Sequence, residues 1–308
     1  MLRLIACRFR HAGWLFVLTL WLSLGCASAE TPPVSIGFYA PVMREVSRKD
    51  VEVSLRFWIE ELARSLGLTY KPVQFYDEPG AMRRDLDSGK INFVVSTSLA
   101  LVQHIPVESL ANGFAGYKNV PDNLILVVRR DADIQSLEDL AGKRIGLLDG
   151  DELSDLYLET LMLKAWGKPD WGRLGPVSRE LRSSKLAHRI FFGQSDAALL
   201  YRSGYDAALA LNPQISQRLN VLEAYTFKIR SPHIGLFSAQ MRPEHRELIT
   251  QAALRLNETA RGRQVLQIYQ ADNIVRTQVR DLEPLRELME TRRALLARTQ
   301  GKAAAGRK

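Results

Sequence analysis

Apolar positions along this chain recur at two periods, every second residue in some stretches and every third or fourth in others, and the switches mark strands and helices. Val34 to Tyr39 alternates as a short strand that Ala40-Pro41 breaks. Val51, Leu55, Trp58, Ile59, Leu62 and Leu66 then keep helical spacing, with Ser47 or Asp50 as the cap and Gly67 as the stop. Leu68 to Phe75 predicts a second strand, Ala81 to Asp87 a short helix ended at Gly89, and Ile91 to Val95 a third strand with Ser96-Thr97-Ser98 at its end. Strand, helix and strand in succession predict a parallel sheet.

The pattern restarts further on. Asp122 to Arg130 reads as a long strand able to carry the chain into a second lobe. Ser136 to Leu148, S-L-E-D-L-A-G-K-R-I-G-L-L, predicts one helical turn capped by Ser136, with Glu138 and Asp139 at its positive end and Leu137 and Leu140 on one face. Gly142 supplies a left-handed stop, and Ile145, Leu147 and Leu148 read as an interior strand. Helices follow at Glu152 to Trp166, Leu186 to Phe192 and Ser203 to Leu211, with a strand at Asp196 to Tyr201. Ser231-Pro232-His233 before Ile234 to Phe237 predicts a return crossing, and the remainder reads as helix at Glu244 to Thr259, Gly262 to Tyr269 and Leu282 to Leu296. The expected fold class is α/β, two-lobed, with two crossover strands forming a hinge. Residues 34–126 and 233–296 form a discontinuous lobe one, 127–232 lobe two, and 297–308 a basic flexible tail.

Composition changes this picture at the ends. Arg3, Arg8 and Arg10 precede a mostly apolar run of about eleven residues from Trp14 to Leu24, and Ala27-Ser28-Ala29 follows. This is the layout of a secretory signal peptide over residues 1–29, and the run is far short of the roughly 20 residues a membrane span needs. Ser23-Leu24-Gly25-Cys26 also resembles a lipid-attachment box, so anchoring through Cys26 is an alternative to cleavage after Ala29. Cys7 and Cys26 both lie in the export segment, which leaves the mature chain no thiol for a disulfide, a thiolate metal site or a nucleophile. Without its three leading arginines the chain carries 39 basic and 34 acidic residues, a net +5. That mild excess lies partly in the tail and, in an exported protein, does not suggest nucleic acid.

Four stretches carry a family resemblance. They are Asn92 to Leu101, the S-L-E-D-L-A-G-K-R-I segment, G-Q-S-D-A-A-L-L at Gly193 to Leu200, and A-A-L-R-L-N-E-T-A-R-G-R-Q-V-L at Ala252 to Leu266. Their order and spacing resemble the periplasmic solute-binding proteins that serve phosphate, phosphite and phosphonate importers of the ABC type. The resemblance covers nearly all of the mature chain. It implies two lobes that close on a small ligand at the C-terminal ends of the sheet strands, where helix N-termini present free N–H groups to anions.

The candidate ligand-binding residues follow from that placement: Tyr39, Ser96, Thr97, Ser98, Asp151, Ser154, Ser183, Tyr201 and His233. Ser96, Thr97 and Ser98 serve either as oxyanion contacts or as an ordinary helix cap, and Tyr39 either lines the cleft or packs inside. Arg202 stands beside Tyr201 at the end of its strand. Two departures from the family stand out. Its Ser-Thr-Ser-Gly-type loop is replaced by Leu148-Asp149-Gly150-Asp151-Glu152-Leu153-Ser154, where only Ser154 keeps a hydroxyl. Its histidine before the penultimate lobe-two helix is replaced by Ser183 beside Ser184. The acids either grip a cationic or hydroxyl-rich part of the ligand or form a solvated first helical turn.

His104, His188, His233 and His245 are scattered without an i, i+4 pair, the acidic loop does not match a calcium loop, and there is no nucleophile elbow or P-loop. No cofactor, metal or catalytic residue is nominated. The expected function is an exported monomeric solute-binding protein that captures a small polar ligand, such as a phosphonate-like oxyanion, for an inner-membrane ABC permease. Two alternatives stay open: a ligand-sensing subunit for a membrane sensor kinase, and an exported hydrolase of unrecognised type.

Overall fold

The structure, a computed structural model, describes residues 33–43, 47–117, 123–229, 233–268 and 271–305. The export segment with both cysteines, and Ser231-Pro232, lie outside the described residues.

The strands in chain order are β1 (Ile36–Tyr39), β2 (Gln74–Tyr76), β3 (Phe93–Thr97), β4 (Leu110–Ala111), β5 (Gly113–Tyr117) and β6 (Leu124–Arg129). β7 (Ile145–Leu148), β8 (Val177–Glu180), β9 (Ala197–Tyr201), β10 (Leu219–Val221), β11 (His233–Ser238) and β12 (Asn273–Thr277) follow. The helices are α1 (Arg48–Leu66), α2 (Pro79–Asp87), α3 (Ser98–His104), α4 (Glu152–Trp166) and α5 (Ser183–Phe191). After them come α6 (Arg202–Leu211), α7 (Ile215–Arg218), α8 (Pro243–Leu254), α9 (Ala260–Ile268) and α10 (Glu283–Ala305).

Two five-stranded sheets result. The first runs β2-β1-β3-β11-β4, with β1 parallel to β2 and β3 and β11 antiparallel to β3. The second runs β10-β6-β9-β7-β8, with β7 parallel to β8 and β9 and β6 antiparallel to β9. Alternation puts Phe38 and Phe93 among the buried residues of the first sheet, where the Phe93 ring stacks on Phe114 at 4.7 Å between centroids. Ser47 caps α1 by accepting from the Asp50 N–H, and Gly67 ends the helix in the left-handed conformation.

Several expectations change here. Of the strand expected at Asp122 to Arg130, Asp122 lies outside the described residues and β6 lies wholly in the second sheet, between β9 and β10. Five of its six residues, Leu124 to Val128, are buried, which suits an interior strand covered on both faces. Ser136 does not cap a helix. The Asp139 carboxylate instead accepts from the Gln135 and Ser136 N–H groups and the Ser136 hydroxyl, at 2.8 to 3.0 Å, and the helical piece is one 3-10 turn, Glu138–Leu140. Gly142 does take the expected left-handed conformation, φ 72°.

The end of the chain differs most. A helix ending at Leu296 with a loose tail after it is replaced by α10, which continues to Ala305 and packs on α4 beside the second sheet. Leu282, just before α10, is fully buried in the first core, whereas Leu285 and Leu288 are buried in the second. Arg292 donates to Glu159 at 2.6 Å and the Thr299 hydroxyl to the Gly167 carbonyl at 2.7 Å, so the helix is held along its length. Leu99 of α3 joins the same second core while Ala100 and Leu101 belong to the first.

Candidate functional site

One group of candidate residues lies at the ends of β1 and β3 and the start of β11. Tyr39 is buried. Thr97 caps α3, its Oγ1 accepting from the Ala100 N–H at 3.2 Å, and Ser98 is the buried first residue of that helix. His233 opens β11, is exposed, and pairs in register with Thr97. Ser96 stands apart. Strand alternation sends it to the face opposite Val95 and Thr97, where it is fully buried with no hydrogen-bond partner for its hydroxyl among the described residues.

A second group of candidate residues gathers at the second sheet. Asp151 caps α4 by accepting from the Ser154 N–H at 3.3 Å, and its other carboxylate oxygen lies 3.4 Å from the Tyr201 hydroxyl, which donates to it. Ser154 is fully buried and donates back to the Asp151 carbonyl at 2.9 Å, so the hydroxyl kept in the acidic loop serves the helix turn. Ser183 begins α5 and its Oγ accepts from the Tyr201 N–H at 3.1 Å. Tyr201 itself immediately precedes α6. Gly204 permits this closeness, because a Cβ there would collide with the Ser183 side chain and come within 3.0 Å of the Ser184 nitrogen. The structure therefore joins Asp151, Ser154, Ser183 and Tyr201 into one hydrogen-bonded cluster at the starts of three helices.

Charges around this cluster are largely matched. Asp155 receives two hydrogen bonds from Arg179, at 3.0 and 3.1 Å, and Arg179 also donates to the Leu148 carbonyl. Arg202 donates to Glu223 at 2.7 Å and holds that carboxyl below the usual glutamate range. Glu180 is likewise held low, first by Lys185 and then by Arg189. Asp149 and Glu152 are exposed at the mouth of the loop. Arg179, Glu180 and Glu223 were not singled out from the sequence; no local pattern marks them, because each is placed by pairing across elements. Among the described residues no three His, Cys, Asp or Glu side chains gather as metal ligands would.

Residues 42–282 match the family described as "ABC transporter, phosphonate, periplasmic substrate-binding protein". The chain belongs to this family. As a phosphonate-transporter binding protein it is a substrate-binding component that works with an ABC permease. No curated protein matches the chain. A Xanthomonas citri protein solved with ATP is 15% identical with a TM-score of 0.57, covering 85% of this chain and 97% of its own. The binding component of an ABC phosphonate transporter from Pseudomonas aeruginosa is 14% identical with a TM-score of 0.52, covering 90% of this chain and 100% of its own. PhnD1 from Prochlorococcus marinus, solved with methylphosphonate, is 14% identical with a TM-score of 0.53, covering 83% of this chain and 96% of its own. At these identities the likeness is one of fold, the two-lobed α/β architecture of type II periplasmic binding proteins. Among the described residues of this phosphonate-family protein, no helix is long and apolar enough to cross a membrane.

Proposed function

We propose that this chain captures a phosphonate-like oxyanion between two lobes in the periplasm and delivers it, as a monomer, to an inner-membrane ABC importer. The observation that carries the reading is the convergence of the α4, α5 and α6 starts on Asp151, Ser183 and Tyr201 at the C-terminal ends of β7 and β9. Helix N-termini at strand ends favour anions through their free N–H groups and the helix dipole. The carboxylate of Asp151 is engaged by its own helix and by Tyr201, which supports a structural role for it rather than a ligand contact.

In this reading lobe one is built on β1 to β4 and β11, lobe two on β6 to β10, and the ligand bridges Thr97, Ser98 and His233 on one side and Ser183 and Tyr201 on the other. Closure lowers the free energy only when both lobes touch the ligand, so the protein acts by a shift of population, and the reading assigns it no bond chemistry. Export follows from the basic, apolar and A-x-A segments of residues 1–29, with cleavage after Ala29 removing Cys26. Titration calorimetry of protein isolated from the periplasm against methylphosphonate, phosphite, phosphate and sulfate tests the proposal. Saturable heat with a phosphorus oxyanion supports it, and silence toward all of them overturns it.

A further inference from the structure

The loop before α4 carries Asp149, Asp151 and Glu152 close together. An oxyanion brought to this end of the second sheet meets negative charge first, so its binding needs a cation able to turn toward it. Three ion-pair systems stand beside the cluster of Asp151, Ser183 and Tyr201, and they differ in what it costs to open them. Arg179 gives two bonds to Asp155 and a third to the Leu148 carbonyl, which fixes it from two sides. Lys185 and Arg189 share Glu180, whose side chain is only 14% exposed, so opening either bond leaves charge on a mostly buried carboxylate.

Arg202 is different. Its guanidinium donates to Glu223 at 2.7 Å, the Glu223 side chain is 65% exposed, and the other Glu223 oxygen already accepts from the Thr226 hydroxyl at 3.1 Å. A pair with so exposed a carboxylate contributes little, and Glu223 returns to water easily. The backbone on both sides is fixed without the pair. Arg202 is the first residue of α6, next to Tyr201, and its N–H donates to the Asn123 carbonyl at 2.8 Å. The turn Glu223–Tyr225 is held against α4 by the Tyr157 hydroxyl, which donates to the Tyr225 carbonyl at 3.1 Å. The guanidinium can therefore turn while the helix start that carries it stays in place.

We infer that Arg202 is the residue that neutralises the bound oxyanion, with Glu223 as a built-in competitor that holds its guanidinium until the ligand takes it. This inference rests on the proposed function for the place and charge of the ligand, and adds the cation that receives it. Arginine suits the exchange because its planar fork gives two parallel bonds to two oxygens of one anion, against the single bond it makes to Glu223.

Titration calorimetry of the periplasmic protein with methylphosphonate tests the inference through a double-mutant cycle. Arg202→Gln is expected to weaken binding about tenfold or more, since a charged hydrogen-bond partner of the ligand is lost. Glu223→Gln is expected to strengthen it about two- to fivefold, the worth of an exposed pair that no longer competes. In the Arg202→Gln background the second substitution should leave the affinity where it is. A Glu223→Gln gain that persists there would report only the field of a nearby carboxylate and would overturn the inference, as would an Arg202→Gln protein that binds like the parent. Should Arg202→Gln fail to fold, Arg202→Met, which keeps the apolar stem, takes its place in the cycle. Those outcomes leave the head-group reading intact, whereas a parent protein that binds no phosphorus oxyanion removes that reading and the inference with it.

Discussion

If the proposed function holds, the Asp151 carboxylate repels the bound anion, yet the helix behind it needs an acceptor. Asp and Ser are comparable N-caps, whereas Ala costs about 1 kcal/mol in the same position. Asp151→Ser is therefore expected to keep α4 intact and to strengthen oxyanion binding, and Asp151→Ala to lower stability by about 1 kcal/mol. Chemical denaturation and calorimetry on the two variants separate the capping role from the charge. A second residue prediction concerns pH. Asp196 receives the Arg144 guanidinium at 2.6 and 3.0 Å and the Arg144 N–H at 2.9 Å. The guanidinium bonds hold its carboxyl below the usual aspartate range, against burial, which opposes them. A depressed carboxyl contributes stability above its unfolded value of about 4 and loses it as pH falls through the depressed value. Asp196→Asn should be less stable than the parent at pH 7, with the difference shrinking below pH 4; urea midpoints that stay apart in acid would contradict this.

Among the elements, those whose sequence pattern matched their own environment were legible and those defined by partners were not. α1 shows its buried stripe and both caps in the chain itself, and β3, β7 and β9 sit within a residue or two of where apolar runs placed them. The β5–β12 ribbon was missed because Gly113-Phe114-Ala115-Gly116-Tyr117 has two glycines and no clean alternation, and its strands are held by pairing across a long separation. In the site, the cap role of Thr97 and the grouping of Ser183 with Tyr201 were within reach of position along the strands. The inward turn of Ser96 was not, since a one-residue difference in where β3 ends decides which face it occupies. α10 was read as ending early because Ala, Gly, Gln and Lys carry little apolar signal. Its seat depends on Leu285 and Leu288, which are buried in the same core as Leu99 of α3, the helix it packs against. Leu285→Ala is expected to cost about 2–5 kcal/mol, and its effect should be non-additive with Leu99→Ala, as a double-mutant cycle in denaturant would measure.

At the scale of the whole molecule, hinge closure is the motion that type II binding proteins use, and ligand binding to the folded state alone must raise its stability. At a ligand concentration about 100 times its dissociation constant the gain is about 2.7 kcal/mol, which should lift the thermal midpoint by several degrees. A bound ligand that leaves the midpoint unmoved would argue against capture by the native fold. β11 carries a different consequence. It completes the first sheet between β3 and β4, although the whole second sheet is encoded between them and it. A chain made N-terminus first holds β4 apart from β3 until the last quarter of the sequence supplies the strand that joins them. Closure of the first sheet therefore waits on a contact of long sequence separation, which makes it the slower of the two sheets to complete.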